Sequence, residues 1–265
     1  MLTITRQASK YLPLKERNRQ QKAMSNEINL ARRVVAEGLG TAILLATVVG
    51  SGIMAERLSN GNVAVALLAN TVATGAALVA LILTFGGISG AHFNPAVTIC
   101  DAWQGGISWR DASFYIFAQT LGAFVGVATA NTMFELPVFF ASQKIRTGSA
   151  QWLSEFVATF GLLAVIWGCV RLRSATVVPF AVAAYITAAY WFTASTSFAN
   201  PAVTLARSMS DSFAGIRLAD VPAFIVAQLL GAIAATLLFR WLVPITTHDA
   251  ETVIIPHKAR KSEKL

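Results

Sequence analysis

Two copies of one pentapeptide, Asn94-Pro95-Ala96-Val97-Thr98 and Asn200-Pro201-Ala202-Val203-Thr204, stand inside uncharged, apolar stretches of a 265-residue chain. Asparagine is among the strongest helix N-caps, and proline is favoured at the first helical position, where its missing N–H costs nothing. Each pentapeptide therefore predicts a helix start. Such a start carries about half a positive charge from its aligned peptide dipoles, and the asparagine amide adds N–H donors. With no acidic residue in either copy, two such ends facing each other would repel protons and other cations. They would still offer donors to the oxygen of a neutral solute, which suits a pore rather than bond-making chemistry. His92, two residues before Asn94, has an unperturbed pKa of about 6.5 and is a candidate gating group or a fixed loop contact. Glu37 and Glu155 lie among apolar residues, where an unpaired charge costs several kcal/mol. They read either as a proton relay or as braces for the loops preceding the short helices.

The elements that must position these groups follow from composition. The chain is 55% hydrophobic and 13% charged, against about 25% charged in a soluble domain. No Asp, Glu, Lys or Arg occurs in 38–55, 58–100, 112–134, 156–170, 174–206 or 221–239. A crossing of the hydrocarbon core takes about 20 apolar residues, so six runs predict a polytopic membrane protein embedded in the lipid bilayer. The net charge of +8 is a topology signal rather than a nucleic-acid surface. Only Arg57, Lys144, Arg146, Arg207 and Arg217, five of 21 basic residues, fall opposite the termini. Basic residues favour cytoplasmic segments, so both termini are expected in the cytoplasm. No nucleic-acid partner is expected. Residues 1–30 lack the apolar core of a signal peptide, and Met24 leaves 1–23 either as a tail or as lying before the true start. The three histidines, His92, His248 and His257, are scattered without ligand spacing, so no metal and no cofactor is expected. Cys100 and Cys169 read as small buried hydrophobes.

Two runs, of 43 and 33 residues, are too long for one crossing and too short for two, and each ends in the pentapeptide. The order is span, span plus half-span, span, and then the same again. Glu37 with Thr41 is echoed by Glu155 with Thr159, and Ala118-Gln119 before Gly122 by Ala227-Gln228 before Gly231. Three spans per unit is odd, so the second unit enters from the opposite face, as an inverted repeat. The expected organisation is a basic tail at 1–31, a channel domain at 32–244 and a C-terminal tail at 245–265. Within the channel domain the repeats are expected at about 32–135 and 151–244, with a polar hinge between them. Gly122-x-x-x-Gly126 and Gly231-x-x-x-Ala235 suit close helix crossings.

The segment from Ser89 to Thr98, Ser-Gly-Ala-His-Phe-Asn-Pro-Ala-Val-Thr, together with the second Asn-Pro-Ala, resembles the signature of the aquaporin, or major intrinsic protein, family. The resemblance covers roughly Arg32 to Val243 and is closest to bacterial aquaglyceroporin-like members. It implies an all-α membrane fold of six transmembrane helices and two re-entrant half-helices, one pore per subunit, and a homotetramer in a bacterial inner membrane. It also favours the brace for Glu37 and Glu155. Carrying the family's constriction over by spacing gives Thr74, Ala188, Ser197 and Val203 as selectivity filter. None is aromatic, and Val203 stands where water-selective members have arginine. Arg207, four residues on, is expected to reach at most the outer mouth. Four small side chains imply a wide, Arg-less filter for water and small neutral solutes: glycerol-like polyols, urea or undissociated metalloid acids such as arsenite. A mainly water-conducting pore is the alternative. A secondary transporter with the same repeat architecture is less favoured, because the half-helix starts carry no coupling-ion carboxylate. An enzyme is not expected: the spans hold no catalytic constellation.

Overall fold

The computed structural model describes residues 28–243, and among them there is no β-strand. Eight α-helices follow in chain order: α1 Leu30–Leu58, α2 Val63–Ser89, α3 Pro95–Gln104, α4 Trp109–Met133, α5 Ser149–Leu172, α6 Val178–Phe192, α7 Pro201–Arg207 and α8 Val221–Leu242. Short 3₁₀ turns, Ala175–Val177 and Leu218–Asp220, lead into α6 and α8. Six segments are long and apolar enough to cross a membrane, and α3 and α7 are the two short helices between them. The chain is thus an integral membrane protein of six spanning helices and two half-helices in an inverted 3+3 repeat. The expected tails, with His248 and His257, lie essentially outside the described residues.

Local sequence dictates the helix starts. Asn29, Asn62 and Ser108 each accept a first-turn N–H of α1, α2 and α4 with a side-chain oxygen, satisfying donors that a helix leaves unpaired. Phe117, Leu121 and Val125 on α4, and Val226, Leu230 and Leu237 on α8, are exposed. Hydrocarbon, not water, suits such a surface. Trp103, Trp109, Trp152, Trp191 and Trp241 are exposed and lie near helix ends, as an interfacial belt requires. Trp167 instead is buried and donates to Thr236 Oγ1 at 3.1 Å.

The inward packing repeats with the sequence. α1 packs on α4, and α5 on α8. A Cβ on Gly122 would collide with the Gly38 carbonyl, and one on Gly231 with the Phe156 carbonyl. The glycines let these backbones touch, within one subunit. The starts of α1 and α4 are joined by Arg33 and Asp111 at 2.7 Å. Arg171 near the end of α5 donates to the Phe239 and Val243 carbonyls at 2.6 and 3.0 Å, and also to Gln104 at the end of α3. These ends form the termini-side face.

The polar segment between the repeats is anchored to the second half. Phe140 and Ser142 donate backbone N–H groups to the Met209 and Ser208 carbonyls at 3.2 and 2.9 Å, and Arg217 N–H meets the Lys144 carbonyl at 2.8 Å. The loop is laid across the end of α7, on the face opposite the termini.

Candidate functional site

The two loops that lead into α3 and α7 have the same unusual backbone. Ala91 and Phe93 in the first, and Ser197 and Ala199 in the second, have φ between +48° and +50°, a left-handed conformation that costs a non-glycine residue about 1–2 kcal/mol. Buried carboxylates hold both in place. Glu37 Oε1 accepts from Ser89 Oγ at 2.6 Å and His92 N–H at 3.0 Å, and its Oε2 from Phe93 N–H at 2.7 Å and Gln119 Nε2 at 2.8 Å. Glu155 accepts from Phe198 and Ala199 N–H, both at 2.9 Å, and from Gln228 Nε2 at 2.6 Å. Gln119 and Gln228 also donate to Thr98 and Thr204 Oγ1 at 2.9 and 2.7 Å, tying each loop to its half-helix.

Asn94 caps α3 by accepting from Ala96 N–H at 2.9 Å, and Asn200 caps α7 by accepting from Ala202 and Val203 N–H at 3.1 and 3.3 Å. Each amide then crosses the repeat boundary. Asn94 Nδ2 donates to the Ala199 carbonyl at 2.8 Å, and Asn200 Nδ2 to the Phe93 carbonyl at 2.7 Å. One N–H of each amide is left over, since the group carries two. Pro95, Ala96, Pro201 and Ala202 are buried at the joint as the first helical residues.

A cavity of about 90 Å³ lies against this joint, lined by His92, Asn94, Asn200, Thr74, Ser197 and Val203 among mostly apolar side chains. His92 Nδ1 lies 3.1 Å from Thr98 Oγ1, and its Nε2 3.7 Å from the buried Asp101 carboxylate. Its ring meets Tyr115 edge-on.

The constriction differs from the expectation. Ala188 is exposed on the outside of α6. The cavity is instead met by Val178, Val182, Ile186 and Tyr190, an i, i+4 stripe along the helix. α6 is packed against α2 and α5, and a fixed count of twelve back from Asn200 across the irregular 193–199 connection lands on the exposed face. The opening therefore does carry an aromatic: the Tyr190 hydroxyl reaches Thr74 Oγ1 at 3.3 Å.

Arg207, too, goes further than expected. It lines the cavity while 2% exposed, its guanidinium carbon 3.4 Å from the centre of the Phe198 ring and its Nε donating to the Ala214 carbonyl. Arg146 lies over the same ring at 4.8 Å and donates to the Gly215 and Ser195 carbonyls at 2.8 and 2.9 Å. Burial pushes its guanidinium down to about 10. Lys144, donating to the Phe213 carbonyl at 2.7 Å, is pushed down to about 8 by burial and by Arg146 and Arg207. Among the described residues no cluster of three or more His, Cys, Asp or Glu could hold a metal.

The family model for the major intrinsic proteins matches residues 24–193 and 172–264. The chain belongs to that family. It is accordingly a channel and not an enzyme. It is 56% identical to aquaglyceroporin AqpS of Rhizobium meliloti over 217 residues, 82% of this chain and 92% of that one. Probable aquaporin AqpM of Archaeoglobus fulgidus is 31% identical over 244 residues, 81% of this chain and 98% of the relative. The X-ray structure of the aquaglyceroporin from Plasmodium falciparum superposes with a TM-score of 0.60 at 22% identity, covering 82% of this chain and 98% of that chain, which shows the shared fold.

Proposed function

We propose that the chain conducts water and small neutral hydroxylated solutes passively, through the cavity between Asn94 and Asn200. The observation that carries this reading is the pair of asparagines, each spending one amide hydrogen across the repeat and keeping one for the cavity. A hydroxyl crossing an otherwise apolar wall needs such donors at the point where it has lost its water. The half-helix dipoles discourage cations at the same place, and selectivity by diameter, lining donors and helix ends is the general behaviour of aquaporin-type pores. Glycerol-like polyols, urea and undissociated metalloid acids such as arsenite share the required chemistry: small, uncharged, with hydroxyl or carbonyl oxygens or amide groups. The likeness to a protein named an aquaglyceroporin supports the polyol class.

Thr74, Ser197 and Val203, joined by Tyr190 in place of Ala188, form the filter in this reading. Glu37 and Glu155 are braces, because both oxygens of each are engaged by loop and glutamine donors. His92 faces the path beside Asp101 and is the candidate gating group. A homotetramer in a bacterial inner membrane with cytoplasmic termini completes the reading, supported by the family likeness and the basic bias of the termini side. The hydroxyl bridge from Tyr190 to Thr74 is the one observation that favours a mainly water-conducting pore.

Val203→Arg in proteoliposomes separates the two. With water, glycerol, urea and arsenite gradients followed by light scattering, glycerol-sized flux should fall by about tenfold or more, equal to ~1.4 kcal/mol of added barrier, while water flux falls far less. Glycerol flux unchanged relative to water would refute the filter assignment.

A further inference from the structure

The two half-helices share the residue types of their caps and braces but not those that stand around each loop. Stepping 106 positions takes Asn94 to Asn200, His92 to Phe198 and Asp101 to Arg207. On the termini side the pair is an imidazole beside a carboxylate, 3.7 Å apart. On the opposite side it is a phenyl ring under a guanidinium, and Arg207 lines the cavity.

The donors of Arg207 are mostly unspent. Nε serves Ala214, while neither terminal nitrogen hydrogen-bonds to a described residue and no ion pair reaches the group. Glu155, the acid of the same loop, is occupied by Phe198, Ala199 and Gln228. An arginine serving only the fold would be expected to spend its fork on carbonyls, as Arg146 does. A desolvated, unpaired charge is costly, and here it is aimed into the cavity.

From this we infer that Arg207, seated on Phe198, is the residue that excludes cations from the conduction path and presents two donor nitrogens to hydroxylated solutes. The position next to the second Asn-Pro-Ala, Val203, is left apolar. The fixed charge of the path thus sits one helical turn beyond Val203 and leaves the filter itself free to admit polyols. The inference rests on the reading of the cavity as the path.

The test uses proteoliposomes of the wild type, R207K and R207Q, with glycerol flux and sodium-driven depolarisation read in the same vesicles. A unit charge roughly 6 Å from a passing ion at an effective dielectric of about 20 corresponds to about a hundredfold in cation flux. R207Q should raise cation leak by at least about tenfold, a conservative share of that figure, and should lower glycerol flux several-fold because a single amide nitrogen replaces the guanidinium pair; R207K should stay tight. A cation-tight R207Q with normal glycerol flux, or an R207K as leaky as R207Q, overturns the inference. Absence of both water and glycerol flux in the wild type would instead refute the pore reading itself. Should R207Q fail to reconstitute, R207H supplies the comparison within one folded protein: leak at pH 8, suppressed at pH 5.5. A leak independent of pH overturns the inference.

Discussion

Replacing Glu155 by Gln tests whether this buried carboxylate is mechanical or a proton carrier. It accepts three hydrogen bonds, from Phe198 N–H, Ala199 N–H and Gln228 Nε2, and it is fully buried. Glutamine keeps the shape but offers one acceptor oxygen where there were two. Whichever way the amide turns, its NH₂ faces at least one N–H that has nowhere else to go. Hydrogen bonds to a charged group are worth about 1.5–3 kcal/mol and neutral ones about 0.5–1.5, while an orphaned buried donor costs about 1–3. Two bonds weakened by about 1 kcal/mol each and one donor orphaned give roughly 3–5 kcal/mol. For a chain of this size a kcal/mol corresponds to about 2–4 °C in Tm, so detergent-solubilised E155Q should melt roughly 6–20 °C below the wild type.

The same loss loosens a loop held at positive φ at Ser197 and Ala199, so glycerol and water flux should fall together in reconstituted vesicles. E37Q removes a carboxylate with four partners and should be at least as damaging. A relay predicts the opposite pattern: melting unchanged, neutral-solute flux unchanged, and a proton leak abolished. Observing that pattern in either variant would refute the brace.

Two further substitutions probe the path and the packing. Tyr190→Ala removes the ring that reaches Thr74 and should raise the flux of a five-carbon polyol relative to glycerol by several-fold, whereas Tyr190→Phe should change the ratio little; both are read by light scattering. Gly231→Ala puts a methyl group into the Phe156 carbonyl and should destabilise α5 against α8 by about 1–3 kcal/mol, seen as a lower melting temperature in detergent, while Gly→Ala at the lipid-facing Gly87, where a Cβ meets nothing, should be neutral or slightly stabilising.

The spans and the repeat were legible because both rest on long-range periodic features: uncharged runs of fixed minimum length and a capping pentapeptide that can start only one kind of element. Ala188 was misplaced for a complementary reason. Which face of α6 looks inward depends on its packing against α2 and α5, and a residue count across the irregular connection from Thr193 to Ala199 carries no such information. The stripe Val178, Val182, Ile186, Tyr190 was the available signal, since the i, i+4 spacing identifies a shared face whatever the loop does. The anchoring of the segment between the repeats was not legible, because it is made largely by backbone groups and by Arg146, and backbone hydrogen bonds leave no pattern in side-chain types. The distance of Arg207 along the chain from Val203 says nothing of the Phe198 ring beneath it, nine residues back past the proline, on which it is seated against the cavity.

The contrast between what the halves share and where they part has a physical reason. Each loop must turn through the same left-handed backbone to deliver its half-helix to the midplane, so each needs its own carboxylate, glutamine, threonine and asparagine. Loss of any one would leave a buried donor or acceptor unpaired where no water can replace the bond. The lining is under no such duplication, because a solute meets each position once. Divergence is therefore cheap at His92 against Phe198 and Asp101 against Arg207, and expensive at Glu37 against Glu155. Substitutions where the repeats agree should move stability and all fluxes together, and those where they differ should move one solute against another.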